Sequence, residues 1–230
     1  MRNAFQSLAF TVLLAATPAV ASDAKPFITA KDLDLTTILQ PPPANDSAQT
    51  KAELGEILTI QVTRTPAMEQ RANADAEEEI WRYADVMGPK FTKEALPKTA
   101  ALFDRINETE ESVTELPKKT FARPRPHILY PDVKPVVPLS KSGAYPSGHT
   151  TRGTLWGVIL SNMVPEKRRE IMVRAWEYGN NRIIGGIHYR SDVDAGRIGG
   201  SIIAEELLRN AEFKTEFEAA KTELRAVLGL

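Results

Sequence analysis

The chain has 230 residues, enough for one well-cored domain, and its 29 lysines and arginines nearly balance 30 aspartates and glutamates for a formal net charge of −1. Such a balance points away from a nucleic-acid coat and from a polybasic membrane anchor. With no cysteine in the sequence, disulfides, thiolate metal centres and a cysteine nucleophile are excluded.

The first 21 residues, "MRNAFQSLAFTVLLAATPAVA", place Arg2 before the apolar stretch Leu8–Ala16 and end on Ala19-Val20-Ala21. A charged start, a short apolar core and a small-x-small end are the pattern of a cleavable secretory leader, and the apolar core is too short to span a bilayer. The expected location is therefore periplasmic or secreted. No later stretch is apolar enough to cross a membrane. Residues 22–49 form a polar lead-in through "LQPPPANDS", and its three successive prolines predict an extended arm. A helical domain is expected over residues 50–230.

Helical signals dominate from there. "KAELGEILTIQV" has helical spacing, and "TPAMEQRANADAEEEIWRYADVM", which opens on Thr65-Pro66, a cap followed by a first-turn proline, is expected to form another helix. "TKEALPKTAALFDRINETEESV" is expected to be helical in pieces. Residues 117–146 hold Pro117, Pro124, Pro126, Pro131, Pro135, Pro138 and Pro146, which predicts a long ordered loop, usually a functional one. "TTRGTLWGVILSNM" then carries Leu155, Val158, Ile159 and Met163 at the spacing of a buried helix. Pro165 opens the next helix, "SDVDAGRIGGSIIAEELLRN" makes another, and a last amphipathic helix carries Phe213, Phe217 and Leu224. No repeat and no strand-like alternation appears. The expectation is a single-domain, all-α helical bundle.

Three histidines are present, His127, His149 and His188. His149 follows Pro146-Ser147-Gly148 at the head of a helix, where free N–H groups and the positive end of the dipole favour an anion. Ser147 adds a hydroxyl, or simply caps the helix, and Gly148 permits close backbone approach. In "NRIIGGIHYRSDVDAGR", Arg182, His188 and Asp192 form R-x5-H-x3-D. Residues four apart on a helical turn are neighbours, about 6 Å between Cβ atoms, so Asp192 is placed to accept from Nδ1 of His188 and leave Nε2 as nucleophile or base. The Gly185-Gly186 break before His188 releases Arg182 from helical geometry. In "KKTFARPRP", Lys118 and Arg125 are cations in a proline-stiffened loop suited to phosphate contact. Taken singly, each of these segments also reads as an ordinary cap, surface pair or solvated loop.

In combination they match K-x6-R-P … P-S-G-H … S-R-x5-H-x3-D, and the chain thereby resembles the bacterial class A non-specific acid phosphatases, of the type 2 phosphatidic acid phosphatase and vanadium haloperoxidase superfamily. The resemblance covers residues 38–205, from "LQPPPANDS" through "RANADA" to "SDVDAGR". Asn181 departs from the family's usual serine before Arg182. The resemblance implies a helical fold and a metal-independent, cofactor-free phosphomonoesterase. His188 would become phosphohistidine, Asp192 would orient it, and His149 would serve as acid and then base. Lys118, Arg125, Ser147, the Gly148 N–H and Arg182 would hold the phosphoryl oxygens. Three fixed cations suit phosphoryl transfer, which is mainly positioning and charge stabilisation, and no compact His/carboxylate metal cluster is evident in the sequence. The expected partner is a small phosphomonoester, with no nucleic acid and no membrane span; a homo-oligomer is open. His127 lines the pocket mouth or has no role. Two alternatives stand beside this reading. One is a vanadate-dependent haloperoxidase, whose chains are usually much longer. The other is a periplasmic phosphate-binding module, which would need no nucleophile.

Overall fold

A computed structural model describes residues 24–230 and contains no strand among them; the expected leader lies outside these residues. The helices are α1 (Ala48–Thr63), α2 (Pro66–Ala74), α3 (Ala84–Met87), α4 (Pro97–Phe121), α5 (Pro126–Leu129), α6 (Gly148–Met163), α7 (Arg168–Ile184), α8 (Arg190–Arg209) and α9 (Ala211–Leu228). Single 3-10 turns occur at Leu35–Thr37, Ile80–Tyr83 and Pro165–Lys167. No helix among the described residues is long and apolar enough to cross a membrane.

α6 is the axis of the fold. It packs along α7 and α8, and Leu155, Trp156, Ile159, Leu160 and Met163 are all fully buried. Glycines let the three helices approach. A Cβ on Gly196 of α8 would lie 2.7 Å from the Ser147 carbonyl oxygen, and one on Gly200 would lie 2.3 Å from that of Thr151. Only a residue without a Cβ fits there, so the starts of α6 and α8 are pressed together. The Ser147 N–H donates to the Asp192 carbonyl at 3.0 Å and ties the two helix starts directly. On the outer side, α9 lays Phe213, Phe217 and Leu224 into the core. Its Glu223 accepts from the free Lys98 and Thr99 N–H groups at the start of α4, at 3.0 and 2.8 Å.

The lead-in runs over this core. Phe27, Leu33, Leu35 and Leu39 are buried in the main cluster, and Phe27 meets Phe213 edge to face at 5.2 Å.

Three local expectations need correction. First, the segment from Thr65 to Met87 is not one helix. Thr65 does cap α2, accepting from the Met68 N–H, and Pro66 is its first residue. The helix stops at Ala74, however, and Asp75–Glu79 form a turn before the 3-10 segment. Second, the 92–113 segment is not in pieces: α4 is a single helix of 25 residues that runs through Pro117 into the expected loop. Pro117 sits in the last turns, where the missing N–H leaves only the Val113 carbonyl unserved, and its buried ring packs in the interior. Ala122, at φ 44°, then ends the helix in the left-handed region. Third, Arg182 is not free of helical geometry. It stands in the last turn of α7, and the break comes after it, where Gly186 takes φ +75°.

Candidate active site

The helix starts and the end of α4 surround a cavity of about 720 Å³ whose lining includes Lys118, Arg125, Gly148, His149, Arg182 and His188. These residues lie far apart in sequence and on five segments. Lys118 comes from the last turn of α4, not from a loop, and its Nζ donates to the Pro146 carbonyl at 2.9 Å. That contact pins the ammonium beside the start of α6. Burial pushes its pKa down to about 8. Arg125 precedes α5 and is held by the Ser142 and Ile187 carbonyls at 3.0 and 3.2 Å. Arg182 reaches in from α7, with one weak contact to the Asp75 carbonyl at 3.5 Å and Nε without a partner.

His188 lies two residues before α8, and Asp192 is in the first turn. The pair meets as expected, but across a helix start rather than within a helical turn. Nδ1 of His188 is 3.2 Å from Oδ2 of Asp192. That oxygen also accepts from the Tyr189 N–H at 2.8 Å, and Oδ1 accepts from Arg123 at 2.6 Å. Both residues are buried. Burial, then Arg125, push the His188 pKa well below its ordinary value, so the ring is neutral. With Nδ1–H on Asp192, Nε2 carries the lone pair, and Nη1 of Arg125 donates to it at 3.0 Å. Burial raises the Asp192 pKa, while Arg123 and the Tyr189 N–H oppose the rise.

His149 is the second residue of α6. Its Nδ1 is 2.8 Å from Glu78 and its Nε2 3.0 Å from the Ala76 carbonyl. Its ring stacks on Tyr178, with centroids 6.0 Å apart and planes 20° from parallel. Burial and Arg182 lower its pKa; Glu78 and the Ala76 carbonyl work in the other direction, and the net shift is downward.

Two of the sequence candidates stand behind the cavity wall. Ser147 is buried and caps α6, its Oγ accepting from the Thr150 N–H at 3.3 Å and from the Thr150 hydroxyl at 2.9 Å. Asp192 acts through His188. His127 does not share the cavity of the other histidines; it lines an adjoining one of about 900 Å³. Asn181 also lies outside the lining, where its Nδ2 donates to Asp75 at 2.7 Å beside the Arg174–Asp75 pair. It thereby braces the turn that carries Ala76 and Glu78 to His149.

Sequence reasoning missed Arg123, Glu78, Arg152 and Glu110. Arg123 had a visible signal, being the first of two Arg-Pro pairs in "RPRP". Glu78 had none, because nothing distinguishes it from Glu77 and Glu79. No group of three or more His, Cys, Asp or Glu residues suited to a metal occurs among the described residues.

Comparisons with known proteins place the chain in a family. The PAP2 superfamily matches residues 108–215. A non-specific acid phosphatase of Salmonella typhimurium is 32% identical over 197 residues, 81% of this chain and 78% of its own length. One of Providencia stuartii is 31% identical over 205 residues, 83% and 81% of the two chains. Among solved structures, a transmembrane PAP2 type phosphatidylglycerolphosphate phosphatase from Bacillus subtilis superposes with a TM-score of 0.53 at 18% identity, covering 73% of this chain and 89% of that one. Aquifex aeolicus LpxE gives 0.53 at 25% identity, covering 72% and 98%. The helical fold is thus that of PAP2 phosphatases, and the sequence runs with the acid phosphatases along most of its length: the chain belongs to the PAP2 superfamily and, within it, to the bacterial class A non-specific acid phosphatases.

Proposed function

We propose that this phosphatase hydrolyses small phosphomonoesters through a phosphohistidine on His188, without a metal, after export through a cleaved leader over residues 1–21. One observation carries the reading: a neutral imidazole, held by Asp192 through Nδ1, turns Nε2 into a cavity that also presents Lys118, Arg125 and Arg182. The phosphoryl oxygens would bind those cations and the Gly148 N–H at the start of α6. A phosphoryl oxygen taking Nη1 of Arg125 would release the Nε2 lone pair, so substrate binding itself arms the nucleophile. Nε2 then bonds to phosphorus as the ester P–O bond breaks, and His149 gives its proton to the leaving oxygen. In the second step water bonds to phosphorus as the P–N bond breaks, and His149 takes the water proton. Phosphate leaves, and His188 is neutral again. Ser147 contributes by capping α6 and so aiming its first N–H groups at the anion.

The test is a rapid quench with 32P-labelled p-nitrophenyl phosphate after dialysis against EDTA. The expected result is an acid-labile, base-stable label on His188 and full activity. A label on another residue, or activity restored only by added metal, would overturn the mechanism. Subcellular fractionation with N-terminal sequencing checks export; an intact N-terminus on cytosolic protein would refute it.

A further inference from the structure

The two cavity histidines are held by the same four-part device. In the first, Nδ1 of His188 lies on Asp192, Asp192 is clamped by Nη1 of Arg123, and Nη2 of that arginine faces Glu53 at 3.4 Å. In the second, Nδ1 of His149 lies on Oε1 of Glu78, Oε2 of Glu78 takes Nη1 of Arg152, and Nη2 of Arg152 pairs with Glu110 at 2.7 Å. The terminal carboxylates are braced as well, Glu53 by Ser191 at 2.8 Å and Glu110 by Thr114 at 2.9 Å. Asp192 belongs to the sequence signature. Glu78, Arg152 and Glu110 do not; they come from the Asp75–Glu79 turn, α6 and α4.

We propose that Glu78 is the positioning residue of the general acid–base, doing for His149 what Asp192 does for His188. This rests on the assignment of His149 given above. Glu78 keeps Nδ1–H on its carboxylate, so Nε2, whose proton rests on the Ala76 carbonyl at 3.0 Å, is the nitrogen that would exchange that contact for the leaving oxygen, hand over its proton and take one back from water. Nδ1–H and the ionised Glu78 are unchanged through both steps. An exposed ion pair is ordinarily worth little, but this one has a fixed geometry. Tyr178 stacks against the ring, and Arg152, nearly buried, locks the far oxygen of Glu78. Both ring nitrogens face acceptors, Glu78 and the Ala76 carbonyl. Only the doubly protonated ring satisfies that arrangement, which is the state a general acid needs before the first step.

The charged and titratable groups around His149 come from every packed element. They are Glu78 from the turn, Arg152 from α6, Glu110 and Lys118 from α4, Arg182 and Tyr178 from α7, and His188 before α8. Of these, Glu78 is the carboxylate in contact with the ring, and it opposes the downward pull of burial and Arg182.

The experiment measures single-turnover rates of enzyme phosphorylation with glycerol phosphate and with p-nitrophenyl phosphate. An alkoxide needs a proton to leave, and p-nitrophenolate scarcely does. Wild type, Glu78→Gln, Glu78→Ala, His149→Ala and the Glu78→Ala/His149→Ala double variant are compared. Glu78→Ala is expected to slow glycerol phosphate roughly 10- to 100-fold, inside the ~10²–10⁴-fold typical of general acid–base help, and to leave p-nitrophenyl phosphate within about 3-fold. Glu78→Gln keeps an acceptor but loses the charge. It should move the upper pH limb for glycerol phosphate to lower pH, whereas a residue that merely shapes the wall would not. In the His149→Ala background, Glu78→Ala should cost nothing more. The Glu78 side chain is 42% exposed, so these variants are expected to fold, and their thermal melts are recorded alongside. If His149→Ala discriminates between the substrates while Glu78→Ala slows both alike, or adds a further loss to His149→Ala, the role of Glu78 is overturned and that of His149 stands. If His149→Ala itself fails to discriminate, the acid assignment falls first and the positioning role with it.

Discussion

Asp192→Asn exchanges one oxygen for an amide nitrogen, and the surrounding contacts decide which way the amide turns. Oδ1 of Asp192 accepts from the Arg123 guanidinium at 2.6 Å; Oδ2 accepts from the Tyr189 N–H at 2.8 Å and from Nδ1 of His188 at 3.2 Å. An NH2 in the Oδ1 place would oppose a buried guanidinium, and breaking a buried charge pair typically costs ~3–5 kcal/mol. An NH2 in the Oδ2 place would forfeit the Tyr189 hydrogen bond, at roughly 1–3 kcal/mol. The second loss is smaller, so the NH2 faces His188. Nδ1 must then accept, the proton moves to Nε2, and the lone pair that would attack phosphorus is gone. Nε2–H would also oppose Nη1 of Arg125, now 3.0 Å away and a donor to it. A histidine held in the wrong tautomer loses on the order of 10⁴-fold in kcat, and the same scale is expected here, with a residual rate that His188→Ala lacks. Stability falls by about 1–3 kcal/mol, the scale of the forfeited Tyr189 hydrogen bond, because the remaining oxygen still accepts from Arg123, which also keeps Ser191, Thr50 and Glu53. Single-turnover phosphorylation gives the rate, urea unfolding gives the stability, and 15N NMR of the imidazole gives the tautomer. An Asp192→Asn enzyme that stays within about 10-fold of wild type, far from the wrong-tautomer scale, while showing a proton on Nε2 would refute the reasoning.

Lys118 should lose its charge as pH rises through about 8, so competitive inhibition by inorganic phosphate should weaken roughly tenfold per pH unit above that point, when phosphate itself is already dianionic. Lys118→Arg, permanently charged, should abolish the trend, and an unchanged trend would show that another group is responsible. Gly200→Ala puts a Cβ 2.3 Å from the Thr151 carbonyl oxygen, 2.9 Å from Cβ of Thr154 and 3.1 Å from the Leu155 nitrogen, all on α6. Overpacking of this kind costs ~1–3 kcal/mol, so Tm should drop by about 6–12 °C at the upper end and activity should fall with it; a melt matching wild type would mean that α6 and α8 are less tightly pressed. His127 lies in the neighbouring cavity, and His127→Ala should leave kcat/KM on both substrates within about 2-fold, as for a change within ±0.5 kcal/mol; a large, selective loss on glycerol phosphate would make it a participant.

Much of this molecule was readable in one dimension. Helical period reports an element's own buried face, which is why Leu155, Ile159 and Met163, or Phe213, Phe217 and Leu224, were assignable without a structure. Thr65-Pro66 marked a true helix start because a cap and a first-turn proline act on the backbone beside them. Pairs four residues apart, such as His188 and Asp192, are brought close by short-range backbone geometry alone. Prolines misled in one place: seven of them between 117 and 146 argued for a loop, yet the interior packing of Pro117 carries α4 on through Lys118. That is tertiary burial overriding a local preference of about 3 kcal/mol. Asn181 was visible as a departure, but its task of bracing the Asp75 turn needed the fold. What only the tertiary structure decided is which distant charges stand behind each histidine. Arg123 and Glu53 reach Asp192 and each other from separate segments, and Glu78 reaches His149 from 71 residues away in sequence. Three consecutive glutamates are equivalent in composition and spacing. One of them meets an imidazole because the turn after α2 is held against α6 and α7, and that placement is a property of packed helices, not of any single helix period.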